Sequence, residues 1–183
     1  MGDGTREAAG RADEDRPMFE TRLREELARP ETVAEGNRAW DVPAGFQREH
    51  DIIVLVGRVA EGDAASSKVT DSVVDAASSE GLLRSARRCG DDGVATCVAR
   101  CCKDGGLGCF VMEERESLTL DECFAAVPGR VVVSVAPARA QALADMLDDV
   151  EVPYAALGQV GGDRLVLADT DDKTLVDLPL SEL

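Results

Sequence analysis

A pair of arginines stands directly before an acidic turn that contains two glycines. Arg87 and Arg88 are followed after one residue by Gly90-Asp91-Asp92-Gly93, and a helical pattern of apolar residues begins next. Proteins bind phosphate through fixed cations and through the N–H groups of a helix N-terminus, so this arrangement suits an anion. The aspartates would repel phosphate unless Mg²⁺ lay between, which makes Asp91 the candidate magnesium ligand.

The same turn has a purely structural interpretation. Asp91 or Asp92 would then be the helix N-cap, and Gly93 would ease the turn into the helix. Local chemistry alone favours this interpretation over the anion site. The sequence leaves both open.

A second glycine cluster lies at the far end of the same predicted helix. Gly105, Gly106 and Gly108 form a Gly-Gly-x-Gly run, which is a weak signal for a phosphate-binding loop. Phosphate-binding loops precede a helix, whereas this run follows one. Helix termination therefore explains these glycines without a ligand.

No pair of nucleophile and base is recognisable in the sequence. His50 is the single histidine, and it flanks the first predicted strand far from the arginine pair. Arginine stays charged at neutral pH and cannot act as a general base. We therefore predict no catalytic residue, and we expect the chain not to be an active enzyme alone.

The charge of the chain excludes one class of partner. Lys and Arg number 20 against 36 Asp and Glu, a formal net charge of −16. Nucleic-acid binding needs clustered cations that neutralise phosphates, so no nucleic-acid partner is expected. No apolar run approaches the ~20 residues of a membrane span, and no signal peptide is recognisable. A cytoplasmic protein without a membrane partner is the resulting expectation.

The cysteines are interpreted as small core residues. The chain has six, at positions 89, 97, 101, 102, 109 and 123. They lack the paired C-x-x-C spacing of zinc sites and no secretory signal precedes them. We predict buried thiols and no metal cluster.

The chain divides into an acidic N-terminal segment and one domain. Residues 1–47 are predicted to be a largely disordered tail with one short helix at 17–29, opened by Pro17 and docked on the domain or on a partner. Trp40 and Phe46 are either anchors that pin this segment to a surface or idle exposed aromatics.

Residues 48–183 carry strand and helix patterns that mingle without strict alternation. Strands are predicted at 51–57, 107–112, 130–135, 155–160, 164–168 and 174–178, and Gly161-Gly162-Asp163 is predicted to be a hairpin turn. Helices are predicted around 69–77, 94–102 and 118–126 and from Pro137 onward. The fold class is α/β (α+β), with one mixed sheet covered by helices.

Several stretches resemble a known family. They are Gly81-Leu82-Leu83-Arg84-Ser85-Ala86, the turn with Asp91 and Gly93, and the ending GQVGGDRLVL…LVDLPLSEL. Together they resemble the C-terminal domain of the aminoimidazole ribonucleotide synthetase superfamily. Within it they look most like the last such domain of phosphoribosylformylglycinamidine synthase. The resemblance covers about residues 51–183 and implies the α/β sandwich typical of that domain.

The resemblance also implies a nucleotide site, from which this chain departs. The family reads His-Asp-x-Ser-Asp-Gly-Gly where this chain has Arg87-Arg88-Cys89-Gly90-Asp91-Asp92-Gly93, so only Asp91 and Gly93 remain. By resemblance, Mg-ATP or ADP would contact a set of nucleotide- or phosphate-binding residues, with magnesium at Asp91. These are Arg87, Arg88, Asp91, Gly93, Gly105, Gly106 and Gly108.

Two functions follow from the resemblance and the departures. One is a degenerate, non-catalytic module for nucleotide binding or dimerisation, linked to purine biosynthesis. The other is a subunit of a split ATP-dependent C–N ligase that works with a separate N-terminal-domain partner. An exposed apolar patch for self-association or partner docking is expected in either case.

Overall fold

A computed structural model describes residues 5–31, 40–57, 67–112, 123–168 and 173–183, with side chains from residue 15 onward. Within these ranges four α-helices and seven strands are present. The helices are α1 (Thr5–Ala28), α2 (Ser67–Ser79), α3 (Gly93–Gly105) and α4 (Ala140–Asp149). The strands are β1 (Ile52–Val56), β2 (Leu83–Arg88), β3 (Cys109–Met112), β4 (Val131–Val135), β5 (Tyr154–Val160), β6 (Arg164–Ala168) and β7 (Thr174–Pro179).

The strands form one mixed sheet in the order β2-β4-β1-β5-β3-β6-β7, which confirms the predicted fold class. Strands β3 and β6 are parallel, and the other neighbours are antiparallel. Among the described residues, no helix combines the length and the apolar character needed to cross a bilayer.

Two predictions about the strands are wrong. β5 and β6 do not form a hairpin, because β3 lies between them and Gly108 exchanges backbone hydrogen bonds of 2.8 Å with Gly161 and Gly162. Strand β2 was not predicted, because Leu83–Arg88 carries three arginines and no β-branched residue. Pairing with the strongly apolar β4 overrides that weak local preference. The helix predicted at 118–126 lies mainly outside the described residues.

Helix α1 is longer than predicted. It begins at Thr5 and contains Pro17 in its interior, so residues 5–16 are helical instead of disordered. The alanines, glutamates and arginines before Pro17 are strong helix formers, which offsets part of the cost of the missing proline N–H. Docking of this helix on the domain is observed, since Phe19 is 5% exposed and Leu23 is 0% exposed.

The two faces of the sheet are covered unequally. On one side, here called the closed face, α1 and α3 pack against apolar residues of β1, β3, β5, β6 and β7 in one cluster. On the other side, the cluster draws its described members from β1, β2, β4, α2, α4 and adjacent loops. The part of this second side that lies on β5, β3 and β6 is here called the open half-face.

The segment before β1 also covers the outer strand β2 of the sheet. Trp40 and Phe46 are both buried, on opposite faces, so they act as anchors. Between them, the carbonyl of Pro43 accepts a 3.0 Å hydrogen bond from the N–H of Ala86 on outer strand β2. The N-terminal region thus covers an edge that would otherwise present unpaired backbone groups.

Candidate functional site

The turn before α3 holds the candidate metal ligand, Asp91. Asp91 is exposed. Asp92 occupies the N-cap position but makes no side-chain capping bond. Its carboxylate instead lies 2.8 Å from the guanidinium of Arg100 on α3. The predicted cap is therefore correct in position and wrong in its chemistry.

Gly93 is required by the packing of this turn. Its φ is +81°, and a Cβ there would lie 2.6 Å from the carbonyl oxygen of Cys123. Any other residue would need both a left-handed backbone and a displaced neighbour. Close packing accounts for this glycine without a phosphate.

Arg87 lies on strand β2, and its charge is used inside the fold. Its side chain is 7% exposed and pairs with Glu31 at 2.6 Å and with Asp104. Burial acts to lower the pKa of Arg87, but Cys101, Glu31 and Asp104 more than offset it, so the pKa is raised. The guanidinium is charged, and two carboxylates already neutralise it.

Arg88 is occupied in the same way on the other side of β2. Its guanidinium pairs with Asp71 of α2 and lies 5.5 Å from the ring centroid of Trp40. This stacking fixes Trp40, one of the two anchors of the segment before β1. Arg88 thus joins α2, β2 and that segment.

Glu31 connects the arginines to the end of α1. It is within 3.9 Å of Arg100 as well as 2.6 Å from Arg87, and Arg100 also donates a 3.3 Å bond to the carbonyl of Glu26. Burial raises the pKa of Asp92, an effect that Arg100 partly offsets. The result is a polar network that holds the N-terminal segment against α3.

The glycines at the far end of α3 each have a structural role. Gly106 is the left-handed C-cap, with φ 67° and its N–H bonded to Cys102. A Cβ on Gly105 would lie 2.1 Å from the carbonyl oxygen of Phe46, and one on Gly108 would lie 2.2 Å from that of Arg164. These glycines permit close approach of backbones, as expected from helix termination.

The candidate glycines lie at the two ends of helix α3. Helix α3 has 13 residues. At 1.5 Å per residue it separates Gly93 from the Gly105–Gly108 turn by about 20 Å. The two arginines of the set are paired with carboxylates of the same chain.

The cysteines are buried, as predicted. Cys102 and Cys109 approach with their sulfur atoms 3.4 Å apart. The hydrogen bond to Cys109 and burial raise the pKa of Cys102, so this thiol stays protonated. Within the described ranges, no group of three or more His, Cys, Asp or Glu side chains is placed to hold a metal ion.

The residues of the open half-face were not predicted from the sequence. Phe110 on β3 is 47% exposed and Tyr154 on β5 is 36% exposed. Phe110 pairs in register with Gln159 on one side and Val166 on the other. The sequence carried no signal for it, because Cys109–Met112 is apolar at every position and the alternation appears only in burial.

Comparison with known proteins places the chain in a family. A family model described as "AIR synthase related protein, C-terminal domain" matches residues 35–169. The chain belongs to this family, which confirms the resemblance in its sequence.

The curated relatives include PurL subunits of phosphoribosylformylglycinamidine synthase. The subunit of Thermobifida fusca is 33% identical over 118 residues, covering 64% of this chain and 15% of the relative. That of a Synechococcus strain is 32% identical over 166 residues, covering 76% and 22%. The chain therefore spans about a fifth or less of the length of such relatives, from 15% to 22%.

Solved structures agree on the fold. Thermotoga maritima PurL complexed with ATP superposes with a TM-score of 0.66 at 17% identity, covering 77% of this chain and 27% of that chain. The hydrogenase maturation protein HypE gives 0.58 at 20% identity, covering 73% and 54%. At these identities the likeness establishes the architecture.

Proposed function

We propose that this chain is a non-catalytic assembly module of the AIR synthase-related family, linked to purine biosynthesis. In this proposal it associates with a second copy through the open half-face. The observation that carries the proposal is the exposure of Phe110 and Tyr154, 47% and 36%, on a half of the sheet that the core cluster of α2 and α4 does not include. A cytoplasmic location belongs to the same proposal.

The chemistry of the open half-face suits a protein interface. Aromatic anchors surrounded by a polar rim are typical of such surfaces. Phe110 and Val166 form the apolar centre of one row across the strands. At its rim, Arg164 pairs with Asp177 at 2.5 Å, which gives the apolar centre a charged border.

The candidate nucleotide residues support a role other than nucleotide chemistry. Arg87 and Arg88 are each neutralised by carboxylates of the same chain. Phosphate could bind there only if those ion pairs broke first. That is costly, because a largely buried guanidinium would lose its carboxylate partners. An internal structural role is the simpler use of these charges.

The net charge gives the proposed dimer a characteristic salt dependence. Each copy carries −16, so two copies repel one another over the whole surface. Salt screens this repulsion, with a Debye length of about 10 Å at 0.1 M and about 3 Å at 1 M. Self-association should therefore strengthen as salt is added.

Sedimentation equilibrium of the full chain over a range of concentrations tests the proposal. The wild type should form a dimer, and Phe110→Asp should weaken it by placing a charge at the centre of the interface. Met18→Asp is the matched control, since Met18 is 50% exposed on α1. A wild type that stays monomeric, or equal dimerisation of all three proteins, would contradict the proposal.

A second candidate function is nucleotide binding within a split synthase. It is favoured by the solved Thermotoga maritima PurL structures complexed with ATP and with ADP. Thermal unfolding with and without Mg-ATP tests it, because ligand at 100 times its Kd stabilises by about 2.7 kcal/mol. Stabilisation lost in Asp91→Ala and kept in the exposed control Asp163→Ala would support this candidate over the assembly module.

A further inference from the structure

Helix α1 covers the outer edge of strand β7. Two of its side chains make the backbone hydrogen bonds that a neighbouring strand would make there. The carboxylate of Glu20 accepts a 3.1 Å hydrogen bond from the N–H of Asp177. The guanidinium of Arg16 donates a 3.3 Å hydrogen bond to the carbonyl of the same residue. Both outward backbone groups of Asp177 are therefore satisfied as they would be in a strand pair.

Pro179 closes the next outward position of this edge. Asp177 and Pro179 are two residues apart on β7, so their backbone groups point to the same side. Proline has no N–H, and proline on an outer strand is a common obstacle to edge pairing. At Asp177 only α1 covers the edge, whereas Pro179 lacks an N–H but keeps a carbonyl that can accept a hydrogen bond.

Apolar burial and ion pairs hold α1 in this position. Phe19 and Leu23 lie in the core cluster of the closed face, at 5% and 0% exposure. Arg24 pairs with Glu182 at 2.6 Å, and Lys173 pairs with Asp15 at 2.7 Å. The helix therefore covers the edge because its own apolar stripe needs the groove between β7 and α3.

This cover, like strand β7 itself, lies outside the residues that the family model matches. The family model matches residues 35–169, and α1 ends at Ala28. The edge of β2, in contrast, is covered by Pro43, which lies inside the matched residues. The two outer strands are therefore protected by different parts of the chain.

We propose that α1 guards a second association site, the edge of β7, and that a second copy of the chain pairs there when α1 is displaced. Two β7 strands related by a two-fold axis run antiparallel, so one edge complements itself. Arg164 lies 2.5 Å from the Asp177 carboxylate and neutralises it, which limits repulsion between the copies. The guard leaves the open half-face as the surface for assembly.

The test uses the full chain with Phe110→Asp, so that association through the open half-face is blocked throughout. Two variants weaken the docking of α1 in different ways: Leu23→Glu disrupts its apolar contacts, and Arg16→Ala with Glu20→Ala removes its hydrogen bonds to the β7 edge. Met18→Glu, at a site 50% exposed on the same helix, is the matched control. Sedimentation equilibrium measures association, and amide hydrogen exchange at Asp177 measures edge exposure in dilute protein.

Both guard-releasing variants should exchange the Asp177 amide faster and associate at least about tenfold more tightly than the control, a change of about 1.4 kcal/mol. Adding Asp177→Pro should abolish that association, because it removes the outward N–H while leaving the β6 pairing intact. Unchanged association in the Arg16→Ala, Glu20→Ala protein would overturn the inference, and this variant decides the test if Leu23→Glu does not fold. Association that persists after Asp177→Pro would also overturn it.

Discussion

The two sides of the sheet are formed by the same strands, but they are covered by helices to different extents. On the closed face, the chain supplies its own cover: α3 from the family domain and α1 from outside the family match. On the other side, α2 and α4 cover β2, β4 and β1, and Phe110 remains 47% exposed on β3. Burial on both sides serves stability, and the exposed part of the second side is the surface through which we propose that the chain assembles.

The largest expected effect is a difference in stability between a variant on the closed face and a variant on the open half-face. Leu23→Ala should lower the free energy of unfolding by about 2–5 kcal/mol, because it opens a cavity in the closed face. Phe110→Ala in dilute protein should change it far less, since Phe110 is 47% exposed. Urea denaturation of both variants measures this. A Phe110→Ala loss as large as that of Leu23→Ala would mean that the open half-face is buried in the isolated chain.

Two arginines, one buried and one exposed, allow the same comparison of stability for ion pairs. Arg87→Ala should destabilise the fold by about 1.5–3 kcal/mol, because the fold loses the hydrogen bonds that this largely buried guanidinium donates to carboxylates. Arg164→Ala should have an effect within about 0.5 kcal/mol, because an exposed pair is screened by water. Urea denaturation again provides the measurement. Equal effects would contradict the structural role assigned to Arg87.

Two glycines test whether the Gly105–Gly108 turn serves packing. Gly108→Ala should cost about 1–3 kcal/mol, because the added methyl group would overpack the contact with Arg164. Gly161 has open space around it and no positive φ, so Gly161→Ala should be neutral or slightly stabilising. Thermal unfolding distinguishes the two. A stable Gly108→Ala variant would reopen the question of a ligand at this turn.

The smallest expected effect is a pH dependence from Asp51. Burial raises the pKa of this carboxyl above its ordinary value of 3.8, and Arg84 and Arg48 partly offset the shift. Between the pKa of Asp51 in the unfolded chain and its higher pKa in the folded chain, the folded chain retains a proton that the unfolded chain has lost. The free energy of unfolding therefore falls as pH rises through this range. The slope is below about 1.36 kcal/mol per pH unit, the limit for one proton.

Asp51→Asn should flatten this slope when urea midpoints are compared across mildly acidic pH. Part of the slope should remain, because burial also raises the pKa of Asp92. A steeper slope in Asp51→Asn would show that the sign is wrong.

Local sequence patterns were sufficient for most elements, but not for strand β2, the start of α1 or the pairing of the strands. The apolar runs of β1 and β4 and the apolar faces of α2 and α3 predicted those elements, because periodicity reports burial directly. The pairing of β3 between β5 and β6 depends on tertiary contacts that no local pattern encodes. The same holds for the candidate site, since Glu31, Asp71 and Asp104 neutralise the arginines from distant positions in the sequence.

Hydroxyl-radical footprinting of the full chain at low and high concentration tests the central claim most directly, because it reports the solvent access of individual side chains. In dilute protein, Phe110, Tyr154 and Met18 should all be oxidised, and buried Phe46 should be protected. At high concentration, Phe110 and Tyr154 should become protected while Met18 stays reactive. If Phe110 and Tyr154 keep their reactivity at every concentration, the open half-face is not the surface through which this chain assembles.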